Sequence, residues 1–554
     1  MTRAEAADLQ RRIAELTAER DQLATQSRKH AQERDEYHKL YLAMLEQCRK
    51  LELGLLGQKA ERLSSDGAQL TMQLLATLMA DAPPAPAADA PVEETPAEPE
   101  PTTPDSPHPG PAPKKRQAGR RALPENLPRV EIEVLPPEVE REGTDQFERI
   151  GEECAEVLER RRASLVVVRI KRGKWVRKDR ERNAETQVLV AETPELPIER
   201  GMAGPGVLAE TIVRRFDDHL PAHRQERIWA REGFELSRAT ICEWHFRLHL
   251  VVLPLLVAMW KDARSAPYLC TDATGVLVQA KDKCRRGHFF TVVVPERYIL
   301  YAYSPTHDGD AVDKLLAGYK GTLLADAHAI YDHLYRTGEV IEAACWAHSR
   351  RYFFKSIESD PTRAHEALAL INGLFEIERE LAKVPPGKRR AERQRKSKLL
   401  VARFFAWCDT QAPHVLDDTP IARAVGYARN QRVALERFLD DGRLPMHNNA
   451  SENALRRQRV GENNWTFLGN DEGGAVNASF VTLLATCRLH DVEPWAYLRD
   501  LLCLIQGWPA SRLLDLSPAH WNKTRQQEDT QQRLIANVFR RVTLDLVDTH
   551  RHDK

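Results

Sequence analysis

The sequence predicts an α/β core in which three successive strands are followed by alternating helices and strands, interrupted by a mostly helical insertion. Two observations carry this. Between residues 267 and 345 the apolar pattern shifts to short strand-like runs, YLCTDATGVLV from Tyr268, HFFTVVV from His288 and RYILYAY from Arg297. A helical pattern over 309–319 then leads into GTLLAD, which ends on Asp326, followed by a second helix over 329–335 and a fifth strand near 342–345. The order β-β-β-α-β-α-β is that of the ribonuclease H-like fold.

The acidic residues inside these apolar strands are the candidate chemistry. Asp272 sits in LCTDATGVLV and Asp326 in GTLLADAHAI. An ionised carboxylate is costly to bury in such surroundings, and a divalent cation held between two of them removes that cost. In a sheet of this order the first and fourth strands are neighbours, so the two aspartates can approach. Taken singly, each reads equally well as a strand-end aspartate capping the next helix.

A third carboxylate should come from a helix after the fifth strand, and LPMHNNASENALRRQR, 444–459, supplies Glu452. Asn448 or Asn449 can cap that helix. Arg456 lies one turn beyond Glu452, so one face offers a metal ligand and a guanidinium for a DNA phosphate, with Arg457 and Arg459 beside it. A surface salt bridge between Glu452 and Arg456 is the plainer alternative. Three carboxylates can hold two Mg2+ ions, with Mn2+ able to substitute, roughly 4 Å apart for an in-line phosphoryl transfer that needs no protein nucleophile. No Gly-x-Ser-x-Gly elbow, Gly-Lys-Ser/Thr phosphate loop or His-Glu-x-x-His helix competes.

At 554 residues with 42% apolar side chains, the chain is long enough for two to four domains. Lysine plus arginine equals aspartate plus glutamate, 81 each, so a nucleic-acid footprint has to be sought in local clusters. The sequence has no run of the roughly 18 apolar residues a membrane span needs and no apolar leader, which predicts a cytoplasmic, nucleoid-associated protein with no membrane partner. Nine scattered cysteines without a Cys-x-x-Cys pair predict reduced thiols.

Along the chain, residues 1–80 read as helix, with Leu9, Ile13, Leu16 and Leu23 on a four-three spacing that suggests a coiled coil, either self-associating or packed within the chain. Residues 81–127 are a disordered Pro-rich linker ending in a basic arm, Lys114, Lys115, Arg116, Arg120 and Arg121, which is either a solvated run or a tracker of DNA phosphates. Residues 128–200 form a small β-containing module. Over 201–262 a helix-turn-helix is predicted, Gly233 permitting the turn and Ser237 capping the second helix. Ile241, Trp244 or His245, and Leu248 would face inward, leaving Arg238, Thr240 and Glu243 for a DNA groove; an ordinary helical hairpin is the alternative. The catalytic domain begins over 263–358 and is broken by the helical insertion, 359–443. There Lys388, Arg389, Arg390, Arg393, Arg395, Lys396 and Lys398 make a basic run, a solvated face or a hold on flanking or target DNA. The catalytic helix and the end of that domain follow over 444–500, and a helical tail over 501–554.

At these residues the sequence resembles the transposases of the insertion sequence 66 family over most of its length. The carrying motifs are Gly119-Arg-Arg-Ala-Leu-Pro-Glu-Asn-Leu-Pro128, Cys345-Trp-Ala-His348-Ser-Arg350-Arg351, Asn448-Asn449-Ala-Ser-Glu452, Asn464-Trp465-Thr-Phe467 and Asp491-Val-Glu-Pro494-Trp-Ala-Tyr497-Leu498. The resemblance implies that the acidic triad is Asp272, Asp326 and Glu452, and that the protein binds the terminal inverted repeats of its element and target DNA. It implies cleavage and joining by a homo-oligomer on DNA, with accessory proteins of the same element as possible partners. A catalytically silent DNA-binding or assembly protein, and a nuclease on the same fold, are the alternatives. Three departures stand out. The cysteine-rich zinc module common in the family retains only Cys154, so no zinc is predicted. The usual Asp-Gly-Tyr appears as Asp326-Ala327-His328. The basic residues expected before Asn-Trp are Glu462 and Asn463. Cys345 and His348 have metal-ligand spacing, but two ligands do not make a tetrahedral site, so a structural role is predicted, with Arg350 and Arg351 facing DNA. Trp465 reads either as a base-stacking platform or as core.

Overall fold

The computed structural model describes residues 127–161, 164–178 and 188–544, together with Arg20, Leu123 and Glu125. The expected coiled coil over 1–80, nearly all of the linker over 81–127, and the basic arm of Lys114, Lys115, Arg116, Arg120 and Arg121 lie outside the described residues. Those that are described form a mixed α/β structure, mostly helical. They divide into two compact units that interleave in sequence. One contains Ala266–Asp272 and Asp308–Asn453; the other contains the described parts of Ala82–Ser265, Ala273–His307 and Ala454–Lys554.

In the second unit, β1 (Arg129–Val134) runs parallel to β3 (Ser164–Arg177), which pairs antiparallel with β2 (Phe147–Arg161), and β4 (Leu189–Val190) adds to β3. Because successive side chains alternate across a strand, one face collects Val130, Ile132, Val157, Val166, Val168 and Ile170, packed against Phe539 and Val542 of the helix Val538–Thr543. The other face carries charge: Arg169 bridges Glu131 at 3.2 Å and Glu156 at 2.9 Å. The strand β2 is hard to read in sequence because FERIGEECAEVLERR is dense in glutamate and arginine.

The same unit contains the predicted pair of helices, Ala222–Arg231 and Arg238–Ala263. Gly233 takes φ +84° in the turn, where a Cβ would be strained. Ser237 caps the second helix by accepting from the Thr240 amide at 3.2 Å. Ile241, Trp244, His245 and Leu248 are buried. The helix continues well past the expected hairpin. By length and composition it could cross a membrane, contrary to the sequence expectation, but the core helix of a soluble protein passes the same test, and Val252, Leu255, Leu256 and Met259 are buried here.

The larger sheet has the strand order β7-β6-β5-β8-β9. Here β5 is Tyr268–Val278, β6 Arg285–Val294, β7 Tyr298–Ser304, β8 Gly321–Ala325 and β9 Val340–Ala344. Within the second unit β6 and β7 form an antiparallel pair, His288 opposite Ser304. Within the first unit β5, β8 and β9 are parallel neighbours. Parallel strands need crossovers, here supplied by the helix Gly309–Leu316 and the short turns over 329–335.

The first unit also holds the helical insertion, built on the helices Pro361–Glu380, Lys398–Gln411 and Pro420–Asn430. Trp346, fully buried, stacks edge-on against Phe404 and donates its indole N–H to the Leu435 carbonyl at 2.9 Å. The basic run, expected as a solvated face or a hold on DNA, is divided: Arg389 and Arg393 are used in the interior, and Arg395 and Lys396 are paired at the surface. Arg393 is completely buried, forked onto Glu378 at 2.7 and 2.6 Å, and donates to the carbonyls of Phe438, Asp441 and Leu444. Arg389 binds the carbonyls of Leu381 and Ala382, while Arg395 and Lys396 pair with Glu392 and Glu380. Lys388, Arg390 and Lys398 are exposed.

Candidate active site

The site of the first unit is assembled where β5 passes the carboxyl ends of the parallel strands β8 and β9. In β5 and β8 the paired residues are Tyr268 with Thr322, Leu269 with Leu323 and Cys270 with Leu324. Asp272 lies two residues beyond the last paired residue of β5, and Asp326 directly follows the end of β8 at Ala325. The β8–β9 register pairs Ala325 with Ala344, so Cys345 is level with Asp326 in turn.

Tyr331, buried at the start of the crossover, reports the charge gathered here. Its phenol is pushed above its ordinary value by burial first, with Asp326 and Asp272 adding to the rise and Thr271 opposing it. Asp326 accepts the His328 amide at 3.3 Å, and the residue between them, Ala327, takes φ +58°. That left-handed conformation is one a glycine adopts without strain.

Asn448 fixes how the helix Asn449–Trp465 enters the site. Its side-chain amide donates to the Thr271 carbonyl at 2.7 Å, next to Asp272, and its backbone N–H donates to Cys345 Sγ at 3.1 Å. The predicted capping role is therefore replaced by a tie between helix and strand ends. The first turn closes through the Glu452 amide donating to the Asn448 carbonyl at 3.2 Å. Glu452 Oε1 is buried and accepts no hydrogen bond; it lies 3.7 Å from His348 Nδ1, and Oε2 lies 3.7 Å from Arg351 Nη2.

Sequence reasoning did not anticipate what this brings together. Among the described residues, Cys345, His348 and Glu452 form a group whose potential ligand atoms all lie within 4.8 Å of one another. Asp272, Asp326 and Glu452 do not form a group that tight. Only the Cys-x-x-His spacing signalled the cluster in sequence. The Cys345 thiol is pushed up to about 11 by burial, against the pull of backbone N–H groups from Asn448, His348 and Ala347, with Glu452 adding to the rise.

The remaining predicted residues are placed as follows. In the first unit, Arg350 is held by Asn372 at 3.0 Å, Arg351 is partly buried beside Glu452, and Asn449 opens the helix. In the second unit, Arg456 is exposed, and Arg459 is exposed but paired with Glu462 at 2.5 Å. Arg457 is bound to the largely buried Asp217, which also holds Arg488 at 2.6 Å, so its guanidinium serves packing. Trp465 is 8% exposed, with the Arg215 guanidinium 5.8 Å from its ring, so it is core. Arg238 is exposed, whereas the Thr240 hydroxyl lies 2.9 Å from Ser237 Oγ.

Comparison with known proteins identifies the family. Residues 200–476 match the Transposase IS66 family, residues 482–519 the IS66 C-terminal element, and residues 43–132 the Transposase C of IS166 homeodomain. The chain is 30% identical over 434 residues to the uncharacterized protein y4qI of Sinorhizobium fredii, covering 74% of this chain and 79% of the relative. It is 29% identical over 435 residues to the uncharacterized protein y4hP of the same organism, covering 74% and 78%. Half the chain falls within one family match that takes in all three acidic positions, and a relative aligned over most of its length supports the same conclusion: this chain belongs to the IS66 transposase family.

Proposed function

We propose that this protein is a DNA transposase with a ribonuclease H-like core, holding two divalent ions, Mg2+ with Mn2+ as a substitute, on Asp272, Asp326 and Glu452. What supports the reading is that Asp272 and Asp326 each lie two residues beyond the last paired residues of adjacent parallel strands, with Asn448 tying the Glu452 helix to the residue before Asp272. The strand order β7-β6-β5-β8-β9, with the first strand central, supports the ribonuclease H-like assignment.

The residues suit hard cations. All three offer carboxylate oxygens, the donor class Mg2+ takes, and a buried Glu452 oxygen lacks a hydrogen bond. When bound, such ions activate a water or 3′-hydroxyl and neutralise the leaving oxygen of an in-line displacement. The chain itself holds the carboxylates in register. Arg351 draws one oxygen of Glu452 and leaves the other turned inward, and Asn448 sets the distance between helix and strand.

Recognition of the terminal inverted repeats is assigned to the helix-turn-helix through Arg238, with Arg456 and Arg459 as exposed phosphate contacts, and the homeodomain-type match over 43–132 supports DNA binding. Two DNA ends must be held together, which calls for a homo-oligomer on DNA, with accessory proteins of the element as further partners, in the bacterial cytoplasm at the nucleoid. The test is Mg2+-dependent cleavage and joining of DNA carrying the element's ends. Asp272→Asn, Asp326→Asn and Glu452→Gln should each abolish both reactions while DNA binding survives. Activity persisting in any of the three removes that residue from the site, and an intact protein that binds without cleaving contradicts the enzymatic reading.

A further inference from the structure

We propose that Cys345, His348 and Glu452 form a second cation site, selective for zinc-class thiophilic ions, that competes with the catalytic ions for Glu452. The competition rests on the catalytic reading above; the binding does not.

The first support is convergence. The sulfur, a ring nitrogen and a carboxylate oxygen already lie within 4.8 Å of one another, although the third residue is more than a hundred positions away in sequence. Zinc bonds of about 2.3 Å to sulfur and about 2.0–2.1 Å to nitrogen and oxygen put tetrahedral ligands roughly 3.3–3.7 Å apart. Closing the set therefore takes movements of about 1 Å, within reach of His348 and Glu452, which are only partly buried.

The second support is the sulfur's surroundings. Cys345 stands at the start of the ten-residue helix Trp346–Lys355, and its sulfur accepts the Asn448 amide at 3.1 Å. That bond holds the sulfur against the turn that carries Glu452, and an ion bound there displaces the thiol proton. Glu452 Oε1 completes the set as a buried acceptor without a hydrogen bond.

The donor chemistry sets the selectivity. A thiolate, an imidazole and a carboxylate make a borderline-soft set that favours zinc, whereas Mg2+ prefers oxygen alone in near-octahedral geometry. Three protein ligands leave the fourth position to water. Binding forms one metal–sulfur, one metal–nitrogen and one metal–oxygen bond and releases the thiol proton to solvent, with no change of oxidation state. An ion seated here takes Glu452 away from Asp272 and Asp326.

The test uses the full chain with Co2+ as a spectroscopic probe. A thiolate-to-cobalt charge-transfer band is expected to saturate at one ion, to yield to Zn2+ but not to Mg2+, and to persist in Asp272→Asn. It should vanish in Cys345→Ser and weaken about tenfold or more in His348→Asn, the variant that keeps the core thiol. Added Zn2+ should suppress Mg2+-dependent joining in the parent and do so less in His348→Asn, each measured against its own Mg2+ rate. Absence of the band, or a band surviving Cys345→Ser, overturns the site. A band without any joining activity upholds this site and counts against the catalytic reading; joining without a band does the reverse.

Discussion

The side-chain amide of Asn448 donates to the backbone carbonyl of Thr271 at 2.7 Å, joining residues 177 positions apart. Because Thr271 precedes Asp272 and Asn448 opens the turn that carries Glu452, this bond sets the spacing between the first and third acidic positions. Asn448→Ala should lower stability by about 1–2 kcal/mol by removing a buried hydrogen bond between distant segments. Asn448→Asp should cost more, since it places a carboxylate against that carbonyl. Urea unfolding followed alongside joining activity checks this. Variants as stable and as active as the parent would show that the tie has no such role.

Ala327 occupies left-handed backbone, φ +58°, directly after Asp326. For a residue with a Cβ this costs roughly 1–2 kcal/mol. Ala327→Gly should therefore raise the urea midpoint, partly offset by the greater freedom of glycine in the unfolded chain. A lower midpoint would contradict the backbone account.

Glu159 is fully buried at the start of the helix Pro205–Phe216, where Oε1 accepts the amides of Arg160 at 2.7 Å and Val207 at 3.1 Å. Burial raises its pKa from 4.5 to about 8, with those amides and that of Gly206, and Arg499, opposing. The folded state then holds a proton that the unfolded state loses. The stability from this group is full below about pH 4.5 and falls as the pH rises to 8, by up to about 1.4 kcal/mol per pH unit. Glu159→Gln should flatten this limb. Subtracting the two profiles removes the contribution of His245, whose pKa burial lowers to about 3 and which acts with the opposite sign below pH 6.5. Parallel profiles would contradict the assignment.

Arg456 and Arg457 are neighbours in sequence with different surroundings, one exposed and the other bound to Asp217. Arg457→Ala should destabilise the protein by about 1–3 kcal/mol by removing one of the two guanidinium partners of a largely buried carboxylate, leaving Arg488. Arg456→Ala should leave stability nearly unchanged and reduce both DNA affinity and its salt dependence. Equal effects of the two on stability would remove the distinction.

The sheet was legible in sequence because its strands are runs of Val, Ile, Leu and aromatic residues between turn signals, and Asp272 and Asp326 stood out as lone charges in those runs. The strand β2 was not, because its charged residues are satisfied by partners distant in sequence, such as Arg169 on β3 for Glu156 and Glu210 for Arg160. Charge alone also misled in the insertion, where Arg393 looks like its exposed neighbours in sequence yet meets Glu378 and three carbonyls in the interior. Trp465 carried two readings until its burial beside Arg215 decided between them. Spacing of three made Cys345 and His348 visible as a pair, but the approach of Glu452 depends on how a distant helix enters the site, which local pattern does not encode.

The central claim, that Asp272, Asp326 and Glu452 share bound metal, is tested most directly by loading the protein with Fe2+ in place of Mg2+ and mapping hydroxyl-radical cuts in the polypeptide. The account predicts cuts clustered near all three residues, suppressed by excess Mg2+ and lost in Asp326→Asn. Cuts confined to the neighbourhood of Cys345, His348 and Glu452, or cuts at Asp272 and Asp326 that ignore Mg2+, would contradict it.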